Sequence, residues 1–190
     1  MDNILLVSRS QKICDALIDF LNNAGYTNVS SVTSSSSARR TLAAQNFSLC
    51  IIDTPLPDEN GSDLAVYVVQ NFDCACMMLT ADGSEDELAE IEEDYGILVL
   101  TKPINRSFFY KMIKFALTSG KRIVDTKNEV KKLQSKLEEL KVVTRAKLLL
   151  MEKQKMTEVQ AHKYIERQAM NQRVTKRVIA EDVIKKYELL

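Results

Sequence analysis

Asp53, Thr80 and Lys102 each stand at the end of, or just after, a short apolar segment of the chain. A carboxylate can accept a phosphoryl group as a nucleophile, while a hydroxyl and an ammonium group can bind its oxygens. The loop that Asp53 opens, DTPLPDENG, contains two prolines and Gly61, which is typical of a tight, irregular turn. These residues predict a site that handles a phosphoryl group; the alternative is that they only pack and form hydrogen bonds.

An alternation of strands and helices would bring these three residues together. The apolar runs that predict strands are Ile4–Val7, Val29–Val32, Leu49–Asp53, Cys74–Leu79 and Ile97–Leu100. Helical spacing occupies the segments between and after them, at 10–24, 35–46, 62–72, 84–94 and 105–118. Five strands alternating with five helices predict an α/β fold with a doubly wound parallel sheet. Its ligand site is expected at the carboxyl ends of the strands.

The first strand reaches the same edge with the sequence VSRS. Ser8 and Arg9 therefore stand where other folds of this class carry metal-binding carboxylates. One carboxylate is a poor magnesium site, and an arginine here could pair with Asp53 in place of a metal. We expect no metal, no magnesium and no other cofactor.

The two parts of the chain carry opposite charge. Residues 1–120 contain 8 Lys and Arg against 16 Asp and Glu, whereas residues 121–190 contain 18 against 10. A basic region attracts polyanions by releasing counterions, although a solvated helical surface would have the same composition.

The basic part is predicted to be entirely helical. Val130, Leu133, Leu137 and Leu140 recur at the spacing of a coiled-coil seam, which predicts a long helix that forms a homodimer. Intramolecular packing of this helix is the alternative. TEVQ at 157–160 reads as a capping box, and a last helix is expected at about 174–188. Together with the end of the long helix, these two helices predict a three-helix bundle.

Residues 1–118 resemble a response-regulator receiver domain, with the CheY-like form of the flavodoxin-like fold. In that family the aspartate matched by Asp53 is phosphorylated, and the residues matched by Thr80 and Lys102 contact the phosphoryl group. The acidic pair that holds magnesium in the family falls on Ser8 and Arg9, and an aromatic switch position falls on Val99. The domain resembles the family as a whole, but its departures at Ser8, Arg9 and Val99 predict a pseudo-receiver that does not use ordinary magnesium-dependent phosphorylation.

Residues 145–184 resemble the ANTAR domain, through Ala146, Lys147, Leu150 and Met151 and, further on, Glu158, Ala161, Tyr164, Ala169, Met170 and Ala180. The resemblance implies a dimer that binds tandem hexaloop hairpins in leader mRNA and prevents a terminator from forming. Polar side chains of this region form the predicted RNA-binding group: Lys147, His162, Arg167, Arg173, Lys176 and Arg177. Tyr164 and Met170 are expected in the core.

These patterns divide the chain into a receiver-like domain (1–120), a coiled-coil linker (121–144) and an ANTAR bundle (145–190). We predict a transcription antitermination regulator that is not an enzyme, since the sequence has no nucleophile–base pair, metal cluster or phosphate-cradling glycine loop. No long apolar span or leader pattern occurs, which predicts a cytoplasmic protein without membrane contact. The input would come from a histidine kinase or from a protein or ligand sensor. The alternatives are a phosphorylated two-component response regulator with DNA-binding output, or a protein-interaction output.

Overall fold

The computed structural model describes residues 2–81 and 92–188. The chain divides into two compact units, Met1–Asp125 and Thr126–Leu190. The strands and helices of the first unit are β1 (Asn3–Ser8), α1 (Gln11–Asn23), β2 (Asn28–Val32), α2 (Ser35–Ala44), β3 (Leu49–Asp53), α3 (Gly61–Asn71), β4 (Ala75–Thr80) and β5 (Leu98–Thr101). Helix α4 (Arg106–Gln154) begins in this unit and ends in the second, which adds α5 (Glu158–Gln172) and α6 (Lys176–Glu188).

The first unit contains a five-stranded parallel sheet in the order β2-β1-β3-β4-β5. Alternate residues of each strand enter opposite apolar layers, because successive side chains of a strand point to opposite faces. In β1, Leu5 and Val7 pack with helices α2 and α3, whereas Ile4 and Leu6 pack with α1 and the start of α4. The doubly wound parallel sheet predicted from the sequence is therefore confirmed. The helix predicted over 84–94 lies largely outside the described residues.

Helix α4 differs from the prediction because it does not stop at residue 118. It continues through Gly120 as one helix of 49 residues. A Cβ atom added at Gly120 would lie only 3.0 Å from the Cβ of Ala75, so glycine allows close packing against the beginning of β4. Glycine lowers the stability of a helix by about 1 kcal/mol relative to alanine, which is small for a helix of this length.

The second unit has its own apolar core at the end of α4 and between α5 and α6. Its buried members are Ala146, Leu150, Ala161, Ile165, Ala169, Ile179, Ala180 and Val183. The predicted capping box is present, since Thr157 accepts from the backbone of Gln160 and the Gln160 side chain accepts from the backbone of Thr157. The predicted three-helix bundle is confirmed. Across the helices of the described ranges, none has the length and apolar character needed to cross a bilayer.

Candidate functional sites

The carboxyl edge of the sheet brings together the residues that the sequence singled out. Ser8 pairs in register with Asp53, and Thr80 pairs with Thr101, the residue before Lys102. Ser8, Asp53 and Thr80 are 1%, 4% and 5% exposed, so these three polar residues are almost fully withdrawn from water. The backbone N–H of Lys102 donates to the carbonyl of Thr80 at 2.7 Å, which ties the end of β5 to β4.

Both carboxylate oxygens of Asp53 have partners in this cleft. The Ser8 hydroxyl donates to Oδ2 at 2.6 Å, and the Lys102 ammonium forms an ion pair with Oδ1. Lys102 Nζ also donates to the carbonyl of Thr54 at 3.2 Å. A buried carboxylate requires such partners, because its desolvation is costly without them. The lysine therefore supplies the compensating positive charge.

Arg9 does not pair with Asp53. Its side chain is exposed, whereas the neighbouring Ser8 is buried, so the expected Arg9–Asp53 contact is replaced by the Lys102 ion pair. The serines on either side of Arg9 have structural roles that the sequence reasoning missed. Ser8 Oγ accepts from the N–H of Ser10 at 3.2 Å, and Ser10 Oγ caps helix α1 by accepting from Ile13 N at 3.4 Å. Serine just before a helical segment was the available signal for that cap.

The loop after Asp53 is held against β4 and α3. Thr54 donates through its N–H and its hydroxyl to the carbonyl of Leu79, at 2.9 and 3.1 Å. A Cβ atom at Gly61 would overlap Cγ2 of Thr54, which is why a glycine stands at the start of α3. The sequence reasoning identified Gly61 as a turn residue but gave no sign of its close approach to Thr54.

The acidic residues of this loop are engaged by helix α2. Asp58 accepts from the backbone N–H groups of Ser35 and Ser36, each at 2.9 Å, and from the Ser36 hydroxyl. These hydrogen bonds, led by the one from the Ser36 hydroxyl, lower the pKa of Asp58 from 3.8 to about 2. Glu59 forms an ion pair with Arg39 at 2.9 Å. Over residues 2–81 and 92–188, no three His, Cys, Asp or Glu side chains converge on a point where they would hold a metal ion.

The predicted RNA-binding group in the second unit falls into two sets. In the first set, each side chain has an acidic partner. Lys147 pairs with Glu158 at 2.8 Å, and Arg177 Nε pairs with Glu181 at 2.8 Å. These contacts lower the pKa of Glu158 and raise that of Arg177.

Glu166 on α5 joins the two remaining paired members of the group. His162 Nε2 lies 3.2 Å from Glu166 Oε1, and Lys176 on α6 forms an ion pair with the same carboxylate. The hydrogen bond from Lys176 is the main cause of a lowered pKa for Glu166. This contact connects the two helices at the surface of the bundle.

Arg167 and Arg173 form the second set. Both are exposed, and neither has an ion pair with another residue in the described part of the chain. Arg173 ends helix α5 in the left-handed conformation, with φ 56°, which places it at the turn before α6. Arg167 and Arg173 are therefore the members of the group whose charge is most available to a polyanion.

Met170 was predicted to lie in the core, but it does not. Tyr164, predicted with it, is partly buried and packs against the core of the second unit. Met170 is 79% exposed. Ala169 is the inward residue at this point of α5, and the next residue is turned about 100° around the helix. Met170 lies one turn from Arg167, so the two share an exposed face.

The predicted coiled-coil residues are exposed within the single chain. Val130, Leu133, Leu137 and Leu140 are 46–63% exposed. Exposed leucines at heptad spacing provide an apolar face that a second helix could cover.

Comparison with known proteins adds two family matches. A model described as the response regulator receiver domain matches residues 4–114, and one described as the ANTAR domain matches residues 131–184. The second match begins inside the predicted linker.

Individual relatives agree with these matches. The chain is 32% identical over 169 residues to the transcriptional regulatory protein PdtaR of Mycobacterium tuberculosis, covering 88% of this chain and 82% of that protein. It is 35% identical over 122 residues to the transcriptional regulatory protein GltR of Pseudomonas aeruginosa, covering 60% of this chain and 48% of that protein. The signal receiver domain of an HD domain-containing protein from Pseudomonas fluorescens Pf-5 has the same fold, with a TM-score of 0.60 and 23% identity over 65% of this chain and 92% of that one.

Proposed function

Because the chain belongs to the response regulators in which a receiver domain precedes an ANTAR domain, we propose that it is a cytoplasmic RNA-binding antitermination regulator. In this proposal a dimer presents two ANTAR bundles to paired hexaloop hairpins in nascent leader mRNA. Their binding prevents the terminator hairpin from forming, and transcription continues. The ANTAR match to the basic second unit is the observation that carries the proposal.

The charge of the second unit supports RNA as the partner. Residues 145–190 contain 11 Lys and Arg against 6 Asp and Glu. Arg167 and Arg173 leave their guanidinium groups exposed near the end of α5, where they can contact phosphates or stack on unpaired bases. Lys147, His162, Lys176 and Arg177 would have to exchange an acidic partner for RNA, which makes them weaker candidates for direct contact.

Dimerisation through the exposed leucines suits a target made of two hairpins. Once one bundle is bound, the second meets its hairpin at a high effective concentration, so the pair binds much more tightly than either bundle alone. The four apolar residues at 130–140 provide such a surface in each chain.

The receiver is proposed to act without magnesium. Magnesium prefers carboxylate, phosphate and water oxygens. Here the neighbouring position holds a serine whose hydroxyl already donates to Asp53 Oδ2, and a lysine pairs with Oδ1. This donor set does not fit a magnesium ion. The input would then be a protein or ligand sensor, or a histidine kinase that works by another route.

A gel-shift titration tests the RNA-binding proposal. The full chain is titrated into RNA with tandem hexaloop hairpins, into the same RNA with scrambled loops, and into duplex DNA. We expect clear preference for the hexaloop RNA, and binding that weakens steeply as salt rises. Equal affinity for all three, or no binding to any, would refute the proposal.

Substitutions in helix α5 and at its end test which residues contact the RNA. Arg167→Ala with Arg173→Ala should weaken binding by roughly thirtyfold or more, because an arginine contact to a base is worth about 1–3 kcal/mol and the variant removes two. Lys163→Ala is the matched control, since Lys163 is also an exposed cation on α5 but lies outside the predicted group. An equal loss in the control would show that general charge, not this surface, binds the RNA.

A further inference from the structure

The coiled-coil seam, defined as Val130, Leu133, Leu137 and Leu140, is flanked by like charges. With Val130 and Leu137 at heptad position a, Lys136 falls at position g and Lys141 at position e. Both lysines are exposed, and within the described residues neither forms an ion pair. At the level of Leu137, both edges of the seam therefore carry positive charge.

A second copy of the same helix is the partner that fits the seam. Aligned parallel and in register, each seam residue meets its own counterpart, and the exposed Ile123, seven residues before Val130, meets another Ile123. An antiparallel arrangement centred on the seam would instead place Ile123 opposite Lys147. The parallel alignment buries more apolar surface and avoids that mismatch.

The parallel alignment also fixes which charges meet. Position g of one helix approaches position e of the other, five residues further along. Lys136 thus meets Lys141 of the second copy, and the two-fold symmetry repeats the contact. The preceding pair, Glu129 with Gln134, supplies no compensating attraction.

We propose that these lysine pairs oppose dimerisation, so that the seam joins two copies weakly at low ionic strength and more tightly once the repulsion is screened. This inference rests on the proposed dimer and adds a control over its formation. Its salt dependence has the opposite sign to that of RNA binding, because salt weakens contacts to phosphate and relieves repulsion between lysines. When monomer and dimer differ little in free energy, a modest extra contact between the two chains is enough to shift the equilibrium. A dimer whose formation is controlled by a signal requires such an equilibrium.

Sedimentation equilibrium of the full chain at about 50 mM and about 500 mM sodium chloride tests the inference. We expect the dissociation constant of the wild-type dimer to fall as salt rises. Lys136→Glu turns both repulsive contacts into attractive ones, so it should tighten the dimer about tenfold at low salt and remove or reverse its salt dependence. Lys132→Glu changes the same charge at position c, away from the seam, and should behave like the wild type.

Three results would overturn the inference. These are a wild-type dimer that weakens with salt, equal effects of Lys136→Glu and Lys132→Glu, and a chain that stays monomeric throughout. Sedimentation uses no RNA, so the salt dependence of the dimer can be measured even if the chain does not bind hairpins. Conversely, a dimer that weakens with salt would overturn this inference without refuting hairpin binding.

Discussion

Replacing Ser8 by aspartate would place a second carboxylate beside Asp53 in a cleft where Ser8 is 1% exposed. The wild-type hydroxyl donates to Asp53 Oδ2 at 2.6 Å, and this donor would be lost. Losing a hydrogen bond to a charged group costs about 1.5–3 kcal/mol. Two carboxylates about 4 Å apart add a repulsion of about 4 kcal/mol at an effective dielectric constant of 20, an upper bound because Lys102 lies beside them.

Magnesium should reduce the loss of folding stability in Ser8→Asp, whereas it should not stabilise the wild type. Two adjacent carboxylates form the ligand pair that the wild type lacks, and a cation bound only by the folded state stabilises it by about 2.7 kcal/mol at one hundred times its dissociation constant. We therefore expect Ser8→Asp to be less stable than the wild type in a chelator and to regain about half of that loss in magnesium. The wild type should respond little.

Urea unfolding followed by circular dichroism, with chelator and with magnesium, measures these differences. Ser8→Ala removes only the hydroxyl, and Ser8→Asn adds bulk without charge, so the two controls separate the lost hydrogen bond and the added volume from the repulsion. Equal stabilisation of the wild type and Ser8→Asp by magnesium would show that Ser8→Asp creates no magnesium site. Equal stability of Ser8→Asp and Ser8→Asn in chelator would show that the two carboxylates do not repel each other.

Three further predictions concern the fold. Gly61→Ala should destabilise the first unit by about 1–3 kcal/mol, because its Cβ would overlap Thr54; thermal unfolding checks this, with no loss contradicting it. Leu150→Ala should cost the second unit about 2–5 kcal/mol and abolish hairpin binding at temperatures where that unit melts; unchanged unfolding would contradict its core position. The lowered pKa of Asp58 means that its capping hydrogen bonds stabilise the fold above about pH 4 and that this contribution is lost as pH falls towards about 2. Urea midpoints across that range should fall less in Asp58→Asn than in the wild type, and identical slopes would contradict this.

The sheet and the position of Asp53 could be predicted because buried parallel strands read as continuous apolar runs. The cation that pairs with Asp53 could not be predicted in the same way. Arg9 is adjacent to the buried Ser8, yet its side chain points to solvent, and Lys102 reaches the carboxylate from two strands away. That outcome depends on the direction in which each side chain leaves its strand, which residue type does not reveal.

In the helices α4 to α6, too, some features could be predicted from local spacing and others could not. The capping box at Thr157 followed from local spacing, because it depends only on residues within the first turn of the helix. The continuation of helix α4 through Gly120 could not be predicted from local spacing. Glycine is needed there because of the close approach to Ala75, a residue distant in sequence. Met170 lay at the border of the apolar face, where a rotation of one residue decides between core and surface.

Terminator readthrough measures the proposed antitermination activity itself. Single-round transcription would be run on a template with two hexaloop hairpins ahead of a terminator, with increasing amounts of the full chain. We expect readthrough to rise with protein concentration, to require both hairpins, and to fall in the variant that combines Arg167→Ala with Arg173→Ala. Unchanged termination at concentrations that saturate the hairpins, or equal readthrough after both loops are scrambled, would contradict it.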